Sequence, residues 1–317
     1  MAVPEILLYL IGGIILLFVG AEGLVRGSSS LALKLGISPL IIGLTIVGFA
    51  TSSPELVVSI RAAFLDSSEI VLGNVIGSNI ANIALILGCA ALIKPLKVNV
   101  DVIRKEVPIL IGVSILLIIF ILIDREIGFA DGIIFIAGIL VYIIVSIIFA
   151  KKEKNVNAEI IYENEFQSNF RTPLLILLIV AGAAFLVFGA NIFLKSAIAL
   201  SRLFGMSDVV IGLTVVAIGT SLPELITSVV AAFRNKADIA IGNAVGSSIF
   251  NILFILGITA VILPISAIGI SELDLGVMLI TAFILLPISI RGYKINRVEG
   301  LILLSGYLFY IYFLLPS

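Results

Sequence analysis

Gly43-Leu-Thr-Ile-Val-Gly-Phe-Ala-Thr-Ser-Ser-Pro-Glu55 and Gly212-Leu-Thr-Val-Val-Ala-Ile-Gly-Thr-Ser-Leu-Pro-Glu224 are one segment written twice, 169 residues apart. A second pair, Gly73-Asn-Val-Ile-Gly-Ser-Asn-Ile-Ala-Asn82 and Gly242-Asn-Ala-Val-Gly-Ser-Ser-Ile-Phe-Asn251, keeps the same offset. So do Gly20 and Gly189, Ser59 and Ser228, and Pro95 and Pro264, which predicts a duplication aligned without a gap. Around these segments the chain is 61% hydrophobic and 12% charged over 317 residues, with a mean hydropathy of +1.31. A soluble domain is about 45–50% apolar and about 25% charged, so lipid is the expected solvent for most of this surface.

A spanning helix needs roughly 20 mostly apolar residues. Ten stretches qualify: 5–32, 38–64, 69–93, 106–123, 128–150, 173–201, 208–233, 238–263, 271–290 and 297–315. Glu5 stands where a signal peptide would be basic, so the first stretch is read as a span. With the N-terminus outside, 14 Lys and Arg fall in inside loops and 3 in outside loops, while Arg26 and Lys195 lie within spans. That bias predicts an N-out, C-out topology. The expected fold is an all-α membrane protein of ten transmembrane helices. Residues 1–150 form one five-helix repeat, 151–172 a cytoplasmic linker of mixed charge, and 173–317 the second repeat. Five is odd, so the second repeat sits upside down. Inverted repeats are the architecture of secondary transporters, with the site at the midplane where the repeats meet.

Glu55 and Glu224 fall mid-span, where a carboxylate costs at least about 2.5–3.5 kcal/mol unless paired or hydrated. Pro54 and Pro223 lack an N–H and clash with the carbonyl four residues back, freeing the oxygens of Ala50 and Gly219. Thr51 and Ser52 share a helical face with Glu55, and Thr220 and Ser221 with Glu224. The facing spans add Ser78, Asn79 and Asn82, with Ser247, Ser248 and Asn251 as mates. Carboxylate, hydroxyl, amide and carbonyl oxygens form a hard-cation ligand set. Two carboxylates match the charge of one Ca²⁺, which takes about 6–8 flexible oxygens, whereas Mg²⁺ demands a rigid octahedron. The same oxygens could divide among smaller Na⁺ sites. Asn74 and Asn243 are read equally as packing or as hydrogen-bonding residues. Glu22 and Arg26 are read as an interfacial i, i+4 pair, and Glu69 and Asp238 as helix-start acids without a transport role.

The paired Thr-Ser-x-Pro-Glu and Gly-Asn-x-x-Gly-Ser motifs resemble the α-repeats of the cation/calcium exchanger superfamily. The whole chain resembles the compact prokaryotic sodium/calcium exchangers. That resemblance implies a Ca²⁺ site of Glu55, Glu224, Thr51 and Thr220. It implies one Na⁺ site from Ser52, Ser78 and the Gly48 carbonyl, and an inverted mate from Ser221, Ser247 and the Ala217 carbonyl. Asn82 and Asn251 would complete the middle. Spans 1 and 6 would slide across the rest to alternate access. It further implies an electrogenic Na⁺/Ca²⁺ antiporter of the plasma membrane without a cofactor, its partners being Ca²⁺, Na⁺ and the bilayer. Three Na⁺ for one Ca²⁺ moves one net charge, worth about 2.3 kcal/mol per 100 mV. Some relatives carry Asp where this chain has Asn251, a pattern similar to that of potassium-dependent exchangers, so K⁺ co-transport is not expected here.

The alternative on the same fold is an H⁺/Ca²⁺ antiporter, in which the two Glu trade Ca²⁺ for protons; the mirrored Thr-Ser clusters favour Na⁺. The chain has no His, a single Cys (Cys89) and no Gly-x-Ser-x-Gly elbow. Those absences argue against imidazole or thiolate metal sites, a disulfide, and an intramembrane hydrolase. Inverted repeats favour alternating access over a continuous channel. A net charge of −1 offers no footprint for nucleic acid.

Overall fold

The computed structural model describes residues 3–65, 67–152, 171–204 and 217–314, without side chains at 149–152 and 217. It is helical almost throughout. Helix α1 (Val3–Leu35) ends at Gly36, whose φ of 65° lets the Gly36 and Ile37 N–H groups turn back to Leu33 and Ala32. Helix α2 (Pro39–Thr51) is capped by the Ser38 hydroxyl, and Ser52, with φ −81° and ψ 3°, separates it from α3 (Ser53–Phe64). The two meet at 43°, so the expected span 38–64 is a bent pair. Pro54 is the second residue of α3, where no backbone N–H is needed.

Helix α4 (Ser68–Ile93) follows, then β1 (Leu96–Lys97), α5 (Val102–Asp124), β2 (Glu126–Ile127) and α6 (Phe129–Lys152). The second half runs through α7 (Thr172–Leu203), a turn of helix α8 (Ala217–Thr220), α9 (Leu222–Phe233), α10 (Ala237–Ile262) and β3 (Ile265–Ser266). It closes with α11 (Glu272–Ile290), β4 (Lys294–Ile295) and α12 (Arg297–Leu314). Eight of these helices are long and apolar enough to cross a membrane, nine with the α2–α3 pair. The first part of the expected span 208–233 and most of the expected linker 151–172 lie outside the described residues.

The two small sheets establish that the halves are inverted. β1 pairs antiparallel with β4, and β2 with β3. β1 and β2 flank α5, a 23-residue helix, so they lie at opposite faces of the molecule. β3 shares the face of β2, which puts it opposite its own repeat mate β1. The gapless alignment holds only as far as these strands. β1 and β3 are 169 residues apart, but β2 and β4 are 168 apart, as are the left-handed residues Arg125 (φ 53°) and Tyr293 (φ 52°) that precede them. The second repeat is therefore one residue shorter between β3 and β4. Surface connections absorb such changes.

Close glycine crossings hold the helices together. A Cβ on Gly20 would lie 2.7 Å from the Gly182 carbonyl, and one on Gly189 2.8 Å from the Leu17 nitrogen, next to Gly13. Gly13/Gly182 and Gly20/Gly189 are repeat mates, so α1 and α7 cross about the pseudo-two-fold axis. Helices α4 and α10 are the inner ones, 78% buried over their most apolar stretch against 22–39% for the outer spans. Glu22 of α1 pairs not only with Arg26. It also accepts from Arg234, just past α9, at 2.8 and 3.0 Å. The expected interfacial pair thus ties α1 to α9.

Candidate functional site

Each half builds its part of the site from a broken helix and a helix with a π-helical turn. Glu55 and Glu224 occupy the first turns of α3 and α9, just past breaks at Ser52 and Ser221. Asn82 is the second residue of the π-helical stretch Ala81–Ile86, and Asn251 the first of Asn251–Leu256. Broken and π-helical backbone leaves carbonyls free, which is tolerated at membrane depth only inside protein or along a cavity. Thr51, Ser52, Glu55, Ser78, Asn82, Ser221, Glu224, Ser247 and Asn251 are all at most 5% exposed. Thr220 is half-buried on the wall of a cavity. The Gly48 carbonyl is buried, and the Ala217 side chain lies outside the described residues.

The hydrogen bonds cross between repeats. The Ser52 hydroxyl donates to Glu224 Oε1 at 3.1 Å. Thr51 donates to Asn243 Oδ1 at 2.9 Å and lies 3.3 Å from the Ser247 hydroxyl. Ser247 in turn donates to the Gly48 carbonyl at 3.3 Å, and Ser221 to the Ser78 hydroxyl at 3.4 Å. This corrects the grouping expected above, which joined Ser78 to the Gly48 carbonyl and Ser247 to Ser221. Because the repeats face one another about the pseudo-two-fold axis, each broken helix meets the serine of the other repeat.

Asn74 and Asn243 are hydrogen-bonding residues. Asn74 Nδ2 donates to the Ser59 hydroxyl and the Glu55 carbonyl; Asn243 Nδ2 repeats this with Ser228 and Glu224. Each amide fastens an acid-bearing half-helix to its neighbour. Asn79 and Ser248 have a role that sequence reasoning did not assign. Asn82 Nδ2 donates to Ser248 Oγ, Asn251 Nδ2 to Asn79 Oδ1, and Asn79 Nδ2 to the Ser248 carbonyl, all at 3.1–3.2 Å. With their Nδ2 groups engaged there, Asn82 and Asn251 keep their Oδ1 oxygens free of donors. The signal for this was a repeat-mate pair, Asn79 and Ser248, flanking the assigned serines.

Five buried oxygens consequently have no donor among the described residues: both of Glu55, Oε2 of Glu224, and Oδ1 of Asn82 and of Asn251. A buried acceptor without a donor costs about 1–3 kcal/mol. Every orphan here is an acceptor, and two of the four side chains are acids. Such a set of acceptors is chemically suited to a cation. With only two acids, no group of three or more His, Cys, Asp or Glu comes together among the described residues, so a cation bound there would draw its remaining ligands from neutral oxygens.

A family model described as sodium/calcium exchanger protein matches residues 5–148 and 174–315. The chain belongs to the sodium/calcium exchanger family. It is 39% identical to CaxA of Alkalimonas amylolytica over 98% of each chain. It is 34% identical to the sodium/calcium exchanger MaX1 of Methanosarcina acetivorans over 97% of each. Among solved structures, the sodium-calcium exchanger NCX_Mj superposes with a TM-score of 0.84 at 28% identity, covering all of both chains. Crystals of that exchanger were soaked with Na⁺ and Ca²⁺, or with Sr²⁺. As a member of this exchanger family the chain is a multi-pass membrane transporter, a cation/Ca²⁺ antiporter and not an enzyme.

Proposed function

We propose that this exchanger is an electrogenic Na⁺/Ca²⁺ antiporter of the plasma membrane, working by alternating access, with ten spans and both termini outside. The observation that carries this is the set of five unpartnered acceptor oxygens on Glu55, Glu224, Asn82 and Asn251. Glu55 and Glu224 hold Ca²⁺ with Thr51 and Thr220, at the roughly 2.3–2.6 Å that Ca²⁺–oxygen bonds require. Na⁺ occupies the two crossed hydroxyl groups. Ser247 with Thr51, Ser52 and the Gly48 carbonyl forms one; Ser78 with Ser221 and the Ala217 carbonyl forms the other. Asn82 and Asn251 supply neutral oxygens between them. The two acids are shared, so Ca²⁺ and Na⁺ compete for the same carboxylates, which is what obliges exchange.

The test is ⁴⁵Ca²⁺ uptake into proteoliposomes under an imposed Na⁺ gradient or an imposed pH gradient. Uptake driven by Na⁺ and accelerated by a membrane potential supports the reading. Uptake driven by the pH gradient alone replaces it with H⁺/Ca²⁺ exchange.

A further inference from the structure

The repeats share a second feature outside the central site, concealed in the sequence by the one-residue slip. Tyr310 of α12 donates to Asp274 Oδ1 of α11 at 2.7 Å, and Tyr142 of α6 donates to Glu106 Oε2 of α5 at 2.9 Å. Asp274 and Glu106 are 168 residues apart, as are the two tyrosines and the strands β2 and β4. Each pair lines a cavity. The Asp274 cavity, about 390 Å³ on the β2/β3 face, reaches Asn74, Gly77, Ser78 and Thr220, and so touches the central site. The Glu106 cavity, about 680 Å³ on the β1/β4 face, is bounded by Leu40 and Ile41 of α2 and Leu253 of α10. There α2 is packed hard on α10: a Cβ on Gly242 would stand 2.8 Å from the Leu40 carbonyl.

We propose that Asp274 is an outer cation-attracting residue, drawing Ca²⁺ and Na⁺ into the cavity that leads to Ser78 and Thr220. It is the one charged residue lining that cavity among the described residues. Tyr310 ties that carboxylate to α12 by a single hydrogen bond that the negative charge does not depend on. Glu106 is its repeat counterpart for the opposite face, but Asp101, Arg104 and Lys105 line that cavity too, and the Lys105–Asp101 ion pair (2.9 Å) belongs to it. Two acids against two bases leave little net attraction there. What the two halves share is a carboxylate hydrogen-bonded to a tyrosine, Asp in one and Glu in the other. A neutral amide could tie the helices equally well; the retained property is negative charge. A carboxylate at a mouth with apolar walls raises the local cation concentration and the rate of capture.

The inference rests on the proposed cation exchange, and its test uses Ca²⁺/Ca²⁺ self-exchange, which needs neither Na⁺ nor H⁺ coupling. Right-side-out and inverted vesicles present opposite faces to ⁴⁵Ca²⁺. Asp274→Asn is expected to raise the half-saturating Ca²⁺ concentration about three- to tenfold from the β2/β3 face only. Choline chloride at high ionic strength should erase the difference. Tyr310→Phe, which removes the interhelical hydrogen bond but keeps the charge, should stay near wild type. If Tyr310→Phe reproduces Asp274→Asn, or if both faces change equally, Asp274 is a structural tie and the inference fails. Should Asp274→Asn not assemble, the wild-type protein decides: half-saturation must depend more steeply on ionic strength from the β2/β3 face than from the other, and equal dependence overturns the proposal. Absence of wild-type self-exchange would instead refute the exchanger reading itself.

Discussion

Glu55→Gln changes charge without changing volume, and the structure gives opposite signs for its two effects. Both Glu55 oxygens are buried without a donor, as are Oε2 of Glu224 and Oδ1 of Asn82 and of Asn251. A glutamine brings two N–H donors into that set. Each acceptor that gains one is worth about 1–3 kcal/mol, so the ion-free variant should be more stable than the wild type by about that amount. Ca²⁺ meanwhile loses one of two charged ligands. Removing one partner of a buried charge interaction costs about 3–5 kcal/mol, which corresponds to a loss of roughly 10²- to 10³-fold or more in affinity. The assay is thermal unfolding in detergent across a Ca²⁺ titration. At 100 times its Kd a ligand stabilises by about 2.7 kcal/mol, so wild-type Tm should climb with Ca²⁺. The variant should start higher and stay flat. A variant that starts lower and still climbs with Ca²⁺ would show that the orphaned oxygens are not the ion site.

Other consequences are as direct. Ser78→Ala and Ser221→Ala should weaken Na⁺ dependence more than Ca²⁺ binding and should combine non-additively, because their hydroxyls are 3.4 Å apart; Ser78→Ala with Ser247→Ala should add, and a Na⁺ titration of each double mutant reads the difference. Asn79→Ala removes the acceptor that fixes the Asn251 amide and the donor to Ser248, and should cost about 1–3 kcal/mol of stability and lower Ca²⁺ affinity by less than Glu55→Gln, whereas unchanged Ca²⁺ binding would deny the orienting role. Gly242→Ala drives a methyl against the Leu40 carbonyl and should destabilise by about 1–3 kcal/mol, while its repeat mate Gly73→Ala, with nothing within 4 Å, should fold normally on size-exclusion chromatography. Glu22→Gln dissolves the contact with Arg26 and Arg234; the mirrored positions hold Asn191, Lys195 and Leu65, so cysteine labelling at the β1/β4 face should increase with no matching change at the other.

The duplicated motif was sufficient to read the repeats, their inversion and the acids at their centre, because a buried carboxylate and a mid-span proline are expensive wherever they occur. Three features were not legible. The cross-repeat grouping of serines depends on which helix faces which, and a linear alignment carries no such information. The anchoring of Asn82 and Asn251 depends on amide orientation, set by Ser248 and Asn79 of the facing helices. The Tyr–carboxylate pairs escaped because a residue lost between β3 and β4 shifts Asp274 and Tyr310 out of the register that matched Pro95 to Pro264. Pro54 marks the span 38–64 as an interrupted one, although hydropathy alone is blind to the 43° bend at Ser52.

The proposed exchange requires Glu55 and Glu224 together to hold a divalent cation between the repeats. Anomalous diffraction from crystals soaked in Ca²⁺ or Sr²⁺ tests it most directly. One strong peak is expected within bonding distance of both carboxylates, flanked by Thr51 and Thr220, and it should vanish in Glu224→Gln. A peak bound by neither acid, or one that survives that substitution at full height, would contradict it.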